Sequence, residues 1–447
     1  MSYSKKPRHI DWDSTGSHSR VTELVDTMYV DLDLGNQKVN VKKELLKTFL
    51  MNLLQSSKTR RGVLYPRGNS WFQRIPSKYK YPYVTYDFVI KIANALLAKG
   101  YIQHLKGSWQ MNINIKEQSS MTPSAKLLNY FQFLDTNMIE YRPPIQEVLL
   151  RNKYDVLKVN KKTGKKENVE IEELLDYTDT TDIIRMRKVI REWNDLRKRT
   201  IVTLDIPNQL YQADNNRETL EYYCDLTAKD NKSVHFKVKP KGVYRVFRKD
   251  FEHFGRYSAG IETMVKREYR PTFKINGEPT IELDFQALHI RMLYNMESIN
   301  YPGDPYQIAA ESYKFKTYRI RKYFKMIGLM AINADTKTGT IKALRDKLKK
   351  EIIIKYPVIK KMLEHWLTVH KPIEKYLCSG IGLKLMYKDS CIAEKVIQHF
   401  TSRNIFVMCV HDSFIISAKY KKELKKVMET SYKEAMETKF KPVIDVK

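Results

Sequence analysis

Val407-Met408-Cys409-Val410-His411-Asp412-Ser413-Phe414-Ile415-Ile416 sets two apolar runs on either side of a short polar break. That pattern predicts a β-hairpin presenting His411 and Asp412 at its turn. A carboxylate so placed must be solvated or neutralised, and a metal ion is one way to neutralise it. Upstream, Ile281-Glu282-Leu283-Asp284 reads as a second strand ending in acid. Two aspartates delivered by separate apolar strands suit a pair of divalent cations about 4 Å apart, the arrangement that stabilises both oxygens in phosphoryl transfer. Strands also end in Asp for turn reasons alone, so what lies between the two carries more weight.

Between them runs Tyr318-Arg319-Ile320-Arg321-Lys322-Tyr323-Phe324-Lys325-Met326-Ile327-Gly328-Leu329-Met330-Ala331-Ile332-Asn333. Arg321, Lys325, Leu329 and Asn333 recur every four residues and form one stripe on a helix. Two cations heading that stripe can grip a triphosphate, and the later positions can face its sugar and base. An exposed basic face with no ligand has the same spacing. The position between two acidic strands favours the nucleotide reading.

The 447 residues are 42% apolar and carry a formal net charge of +29. Chain length predicts two to four domains, and the charge predicts a polyanionic partner whose phosphates Lys and Arg neutralise. A membrane surface is the minor reading, because no run of about 18 apolar residues exists and no compact basic amphipathic anchor stands out. Cys224, Cys378, Cys391 and Cys409 are widely spaced without a C-x-x-C. They read as free thiols of a reducing compartment, with neither a disulfide framework nor a zinc site. Met1-Ser2-Tyr3-Ser4-Lys5-Lys6-Pro7-Arg8 lacks the apolar core of a secretory signal, so a cytoplasmic protein is expected.

Residues 1–20 are polar and read as a disordered tail. Leu45, Leu46, Phe49, Leu50, Leu53 and Leu54 recur at helical spacing. Thr85 can cap a second helix that buries Phe88, Val89, Ile92, Ala93, Leu96 and Leu97 and ends at Gly100. A strand–turn–strand with a basic tip follows. Residues 21–118 therefore resemble a winged-helix module, in which one helix enters the DNA major groove and the wing touches backbone. A small helical subdomain that touches no DNA fits the same pattern. Residues 119–244 are expected to be a helical, thumb-like or template-guiding region. It contains the turn Lys161–Lys166 and a basic amphipathic helix, Asp182 to Arg199, with Ile183, Ile184, Met186, Val189, Ile190, Trp193 and Leu196 inward.

Several C-terminal motifs resemble those of one family. Asp284-Phe285-Gln286-Ala287-Leu288-His289-Ile290-Arg291 is similar to motif A of the family A DNA polymerases, Arg321-x-x-x-Lys325 to motif B, and Val410-His411-Asp412-Ser413-Phe414 to motif C. The His-Asp-Ser-Phe form also resembles the single-subunit phage RNA polymerases. Glu252-His253-Phe254-Gly255-Arg256 resembles the D-x-x-G-R element that precedes motif A, with Glu for Asp, and Lys441–Lys447 resembles the last palm strand. The likeness spans about 200 residues, in family order. It implies that Asp284 and Asp412 bind two Mg2+ ions, with Mn2+ as the alternative, and that His411 lies near the primer 3′ end. It further implies that Arg321 and Lys325 contact the triphosphate, Leu329, Asn333 and His289 line the nucleotide site, and Gly255, Arg256 and Arg291 hold DNA. The chain departs from the family at His289, where a Glu normally helps to exclude a 2′-hydroxyl, and at Leu329 and Asn333, where aromatic residues are expected. Ribonucleotide use follows as an expectation. No D-x-E exonuclease motif stands out, so no proofreading is expected.

The expected architecture is α+β: a right hand with palm at 245–305 and 385–447 and fingers at 306–384, preceded by the winged-helix-like module and helical region. The expected function is template-directed nucleotidyl transfer, replicating or priming the DNA of a mobile genetic element. Its expected partners are a DNA template, a primer or nascent strand, nucleoside triphosphates and an accessory replication protein. The rival readings are a non-catalytic DNA-binding replication or regulatory protein and a single-subunit RNA polymerase.

Overall fold

The computed structural model describes residues 5–105, 107, 109–110, 115–116, 118–159, 166–214, 217–308, 317–348 and 356–447. The basic tip expected of a wing, at Lys106, and all of the Lys161–Lys166 turn except Lys166 lie outside them. The fold is mixed α+β and divides into two compact units, Met1–Arg245 with Ser258–Pro279, and Val246–Tyr257 with Thr280–Lys447.

The first unit begins earlier than its polar composition predicts. Lys5–His9 is a strand that lies parallel to Arg61–Leu64, and a helix spans Ser19–Asp31. Asp11 explains the order: its backbone N–H donates to Asn52 Oδ1, and its carboxylate takes Lys241 and the Tyr222 hydroxyl. Partners distant in sequence thus replace the disordered tail expected for this stretch.

Helix Val39–Thr59 buries Leu45, Leu46, Phe49, Leu50, Leu53 and Leu54, as their spacing requires. Thr85 accepts a hydrogen bond from Phe88 N and starts helix Tyr86–Ala98, with Val89, Ile92, Ala93 and Leu96 inward. Phe88 is only half-buried and Leu97 is exposed, so the buried stripe is narrower than expected. Strand Ser120–Pro123 pairs with both Arg61–Leu64 and Ile102–Leu105, giving a small sheet behind these helices.

Residues 119–244 correct the expectation of a helical region. Val148–Val159 and Lys166–Leu174 form a long antiparallel ribbon in unbroken register from Lys166↔Val159 to Leu174↔Arg151. Its Val169-Glu170-Ile171-Glu172 alternation has the period of a strand. Cys224–Lys229, Ser233–Val238, Val202–Pro207 and Phe273–Ile275 then make an antiparallel sheet in that order. The one long helix, Thr181–Arg199, does bury Ile183, Met186, Val189, Ile190, Trp193 and Leu196, but Ile184 faces out. Three of its cations are committed: Arg187 to Asp179, Arg191 to Glu147, and Arg197 to the buried Glu262. The Arg197–Glu262 pair and strand Phe273–Ile275 also explain why residues 258–279, expected in the palm, belong to the first unit.

In the second unit, Glu278–Phe285 contributes its end to a sheet with Ser413–Ser417 on one side and Ile444–Val446 on the other. Phe285 packs on Tyr432 of helix Lys421–Met436, at 6.0 Å between ring centroids. Helices Thr317–Asn333, Lys337–Leu348 and Tyr356–Val369 pack together. Gly328 permits that approach, since a Cβ there would meet Trp366 at 2.9 Å. All four cysteines are free thiols, and among the described residues no helix is long and apolar enough to cross a membrane.

Candidate active site

Strands Val407–Val410 and Ser413–Ser417 are wholly buried and close a two-residue loop, with Val410 opposite Ser413. Such loops need a backbone with positive φ, and His411 supplies it at φ +60°, a conformation histidine tolerates better than β-branched residues do. The loop therefore turns His411 to solvent and leaves Asp412 half-buried.

Strand Glu278–Phe285 aligns with this hairpin so that Asp284 stands opposite Ser413, and Phe285 N–H donates to the Asp412 carbonyl at 3.2 Å. Asp445 stands opposite Asp284 on the other side. Burial raises the Asp284 carboxyl above the ordinary carboxylate range. Lys447 opposes the shift through a hydrogen bond, while the charges of Asp412 and Glu282 add to it. Glu282 is held inside the sheet by Ser413, whose hydroxyl donates to it at 2.7 Å. The two sequence-predicted aspartates thus share one end of one sheet and repel each other.

Among the described residues, no group of three or more acidic, histidine or cysteine side chains is arranged to hold a metal. A cation here would take two carboxylates from the chain and its other ligands from water or phosphate, which is how Mg2+ binds beside substrate phosphates. The Lys447 ammonium already on Asp284 shows that the position favours positive charge.

Arg321, Lys325, Leu329 and Asn333 are all exposed on helix Thr317–Asn333, while Ile320, Tyr323, Phe324, Met326, Ile327, Ala331 and Ile332 are buried. The stripe is real. Its first cation is engaged, for Arg321 donates to Asp304 at 2.5 Å. Asn333 donates to the Leu329 carbonyl at 2.7 Å and leans on Gly382, where a Cβ would clash with it. Lys325 has no ion pair among the described residues. Tyr306 connects helix and hairpin electrostatically. Burial raises its phenol most, and Asp304 raises it, Arg321 lowers it and Asp412 raises it. One phenol thus senses both the helix's first cation and the loop carboxylate.

The expected DNA-holding residues sit differently. Arg291 is 7% exposed, and its guanidinium donates to the carbonyls of Gln286, Tyr301 and Gly303 and to Gln286 Oε1. It holds a loop, so its assignment to DNA is corrected. Arg256 and His289 both bond Asp389 Oδ2, at 2.5 and 2.8 Å. Gly255 is buried with φ +66°, directly after Phe254 at φ +70°. Sequence reasoning missed Asp389, Asp304 and Tyr306. Asp389 left a signal: on helix Gly382–Thr401 it shares a face with the buried Leu385, Ile392 and Ala393, where an acid must have a partner.

No known protein-family profile matches the chain, and no curated sequence does. Among solved structures, the POL domain of Pol1 from M. smegmatis, in complex with DNA primer-template and dNTP, is 12% identical, with a TM-score of 0.35. The match covers 53% of this chain and 50% of that one, and a likeness of that degree assigns no family.

Proposed function

We propose that this chain is a template-directed nucleotidyltransferase that builds a strand on DNA from nucleoside triphosphates, with family A-like palm and fingers and a winged-helix-like DNA-binding module. The observation that carries the reading is the convergence of Asp284 and Asp412 at one sheet end, close enough for the charge of one to hinder ionisation of the other. Two Mg2+ ions, or Mn2+, held by this pair would stabilise the attacking and leaving oxygens. Lys325 would meet the triphosphate, and Arg321 would join it by exchanging Asp304 for phosphate. His411, at the exposed turn, would face the primer end, and Leu329, Asn333 and His289 would border the nucleotide. Arg256, tied to Asp389, would hold DNA with Gly255. Strand order Arg61–Leu64, Ser120–Pro123, Ile102–Leu105 with helix Tyr86–Ala98 supports the winged-helix reading. Priming for a mobile genetic element, with an accessory replication protein, is the finer form of the proposal.

The Lys447 ammonium on Asp284 favours a second reading, a DNA-binding protein in which this acid is structural. Primed and unprimed single-stranded templates, offered deoxy- or ribonucleotides, separate the two. Asp412→Asn should abolish incorporation while DNA affinity stays within about twofold of wild type. Undiminished incorporation by that variant, or none by the wild type on any template, would reject nucleotidyl transfer at this site.

A further inference from the structure

A cavity of about 460 Å3 opens in the first unit beside the start of helix Tyr86–Ala98. Six aromatic residues line it, Trp12, Trp71, Phe72, Tyr79, Tyr81 and Tyr86, together with five aliphatic side chains. The rings are already packed edge to face or tilted, with Trp12–Trp71 at 6.3 Å, Trp71–Phe72 at 4.9 Å and Phe72–Tyr86 at 5.8 Å. The hydroxyls of Tyr79 and Tyr81 are bonded to the Leu175 carbonyl and to Asp13. At Tyr79 and Tyr81 a guest therefore meets ring surface, not a phenol donor. Trp71 and Tyr86 are only half-buried, so the aromatic surface is incompletely covered by the chain's own packing.

The rim has a different chemistry. Asn69, Gln73 and Lys80 line the mouth and are exposed, and among the described residues no acid lines the cavity. Two carboxamides offer paired donors and acceptors, the groups that read a base edge. One ammonium offers a partner for a phosphate. Aromatic walls with an amide and cation rim match an unstacked nucleobase carried on its sugar-phosphate, the way single strands bind.

We propose that this cavity takes a base of single-stranded DNA, swung out of the strand, with its flanking phosphate on Lys80. The site is separate from the aspartate pair, and the inference stands whether or not the chain transfers nucleotides. A duplex cannot use it without unpairing, so the cavity would bias the protein towards single-stranded regions.

The test compares an oligothymidylate with an abasic oligomer of equal length and charge, using the full chain. Fluorescence anisotropy of the labelled strands should show about tenfold tighter binding of the base-bearing strand, the size expected from one stacked base. Trp71→Ala should erase that preference and leave affinity for the abasic strand unchanged. Because Trp71 also packs on Phe72, Gln73→Ala with Lys80→Ala provides a second variant at exposed positions, with its melting temperature as a fold control. It should lose at least half of the preference. Equal binding of the two oligomers by wild type overturns the proposal, as does full preference retained by both variants. Quenching of tryptophan emission by an apolar peptide but not by oligothymidylate would make the occupant a protein and overturn it too.

Discussion

His370 has no exposed surface, and its ring is held between the Tyr294 hydroxyl on Nδ1 and the Pro305 carbonyl on Nε2, both at 2.9 Å. Trp366 and Tyr301 close around it, and among the described residues no charged group bonds it. Burial pushes its pKa down to about 4, although the Pro305 carbonyl pulls the other way. The unfolded chain takes up this proton near pH 6.5 and the folded chain does not until about pH 4. Stability contributed by neutral His370 is therefore complete above pH 6.5 and lost as pH falls from 6.5 towards 4. The loss is roughly 3 kcal/mol. Urea unfolding across that range should show the slope, and His370→Phe should flatten it. The sequence hid this residue, since Val369-His370-Lys371 reads as a polar helix end. Asp284 and Asp412 were legible for the opposite reason: each terminates or interrupts an apolar strand, where an acid is conspicuous. Arg291 shows the limit of such reading. Its position in a motif suggested a ligand, but only the fold shows its donors bonded to Gln286 and to the carbonyls of Tyr301 and Gly303.

Helix Thr317–Asn333 was readable because its exposed positions recur every four residues, and the Val407–Ser417 hairpin because two short apolar runs flank a polar break. The helix makes a distinct prediction for its two cations. Lys325 is exposed and has no ion pair among the described residues, so Lys325→Ala should leave the melting temperature within about 1 °C and raise KM for the nucleotide roughly tenfold. Arg321 must give up Asp304 before it can bind phosphate, so Arg321→Ala should have the smaller effect on KM. Steady-state incorporation kinetics on both variants will check the order. The ribbon Val148–Lys166–Leu174 was not read, because its outward Leu157 is 65% exposed and its charges alternate without an obvious buried face. A ribbon of this kind obeys pairing more than burial, and pairing partners are invisible in one strand alone.

At a net charge of +29, the chain's affinity for DNA should depend steeply on salt. With six or more phosphate contacts, the dissociation constant should weaken at least about a thousandfold between 50 and 200 mM salt. A titration that changes less than tenfold would mean that most of the positive charge is spent within the protein. The Arg187, Arg191 and Arg197 pairs show how that happens locally. Composition and period alone were enough to read a strongly basic chain, its apolar strands, the acids at their ends and the cationic helix stripe, because those follow from local pattern and summed charge. Which distant segments meet depended on the folded chain. It brought Asp284 beside Asp412, gave residues 258–279 to the first unit, sank Arg291 and Asp389, and assembled an aromatic cavity from Trp12, Trp71 and Tyr86. Contacts of that kind are set by packing between elements, and packing leaves no period in a linear sequence.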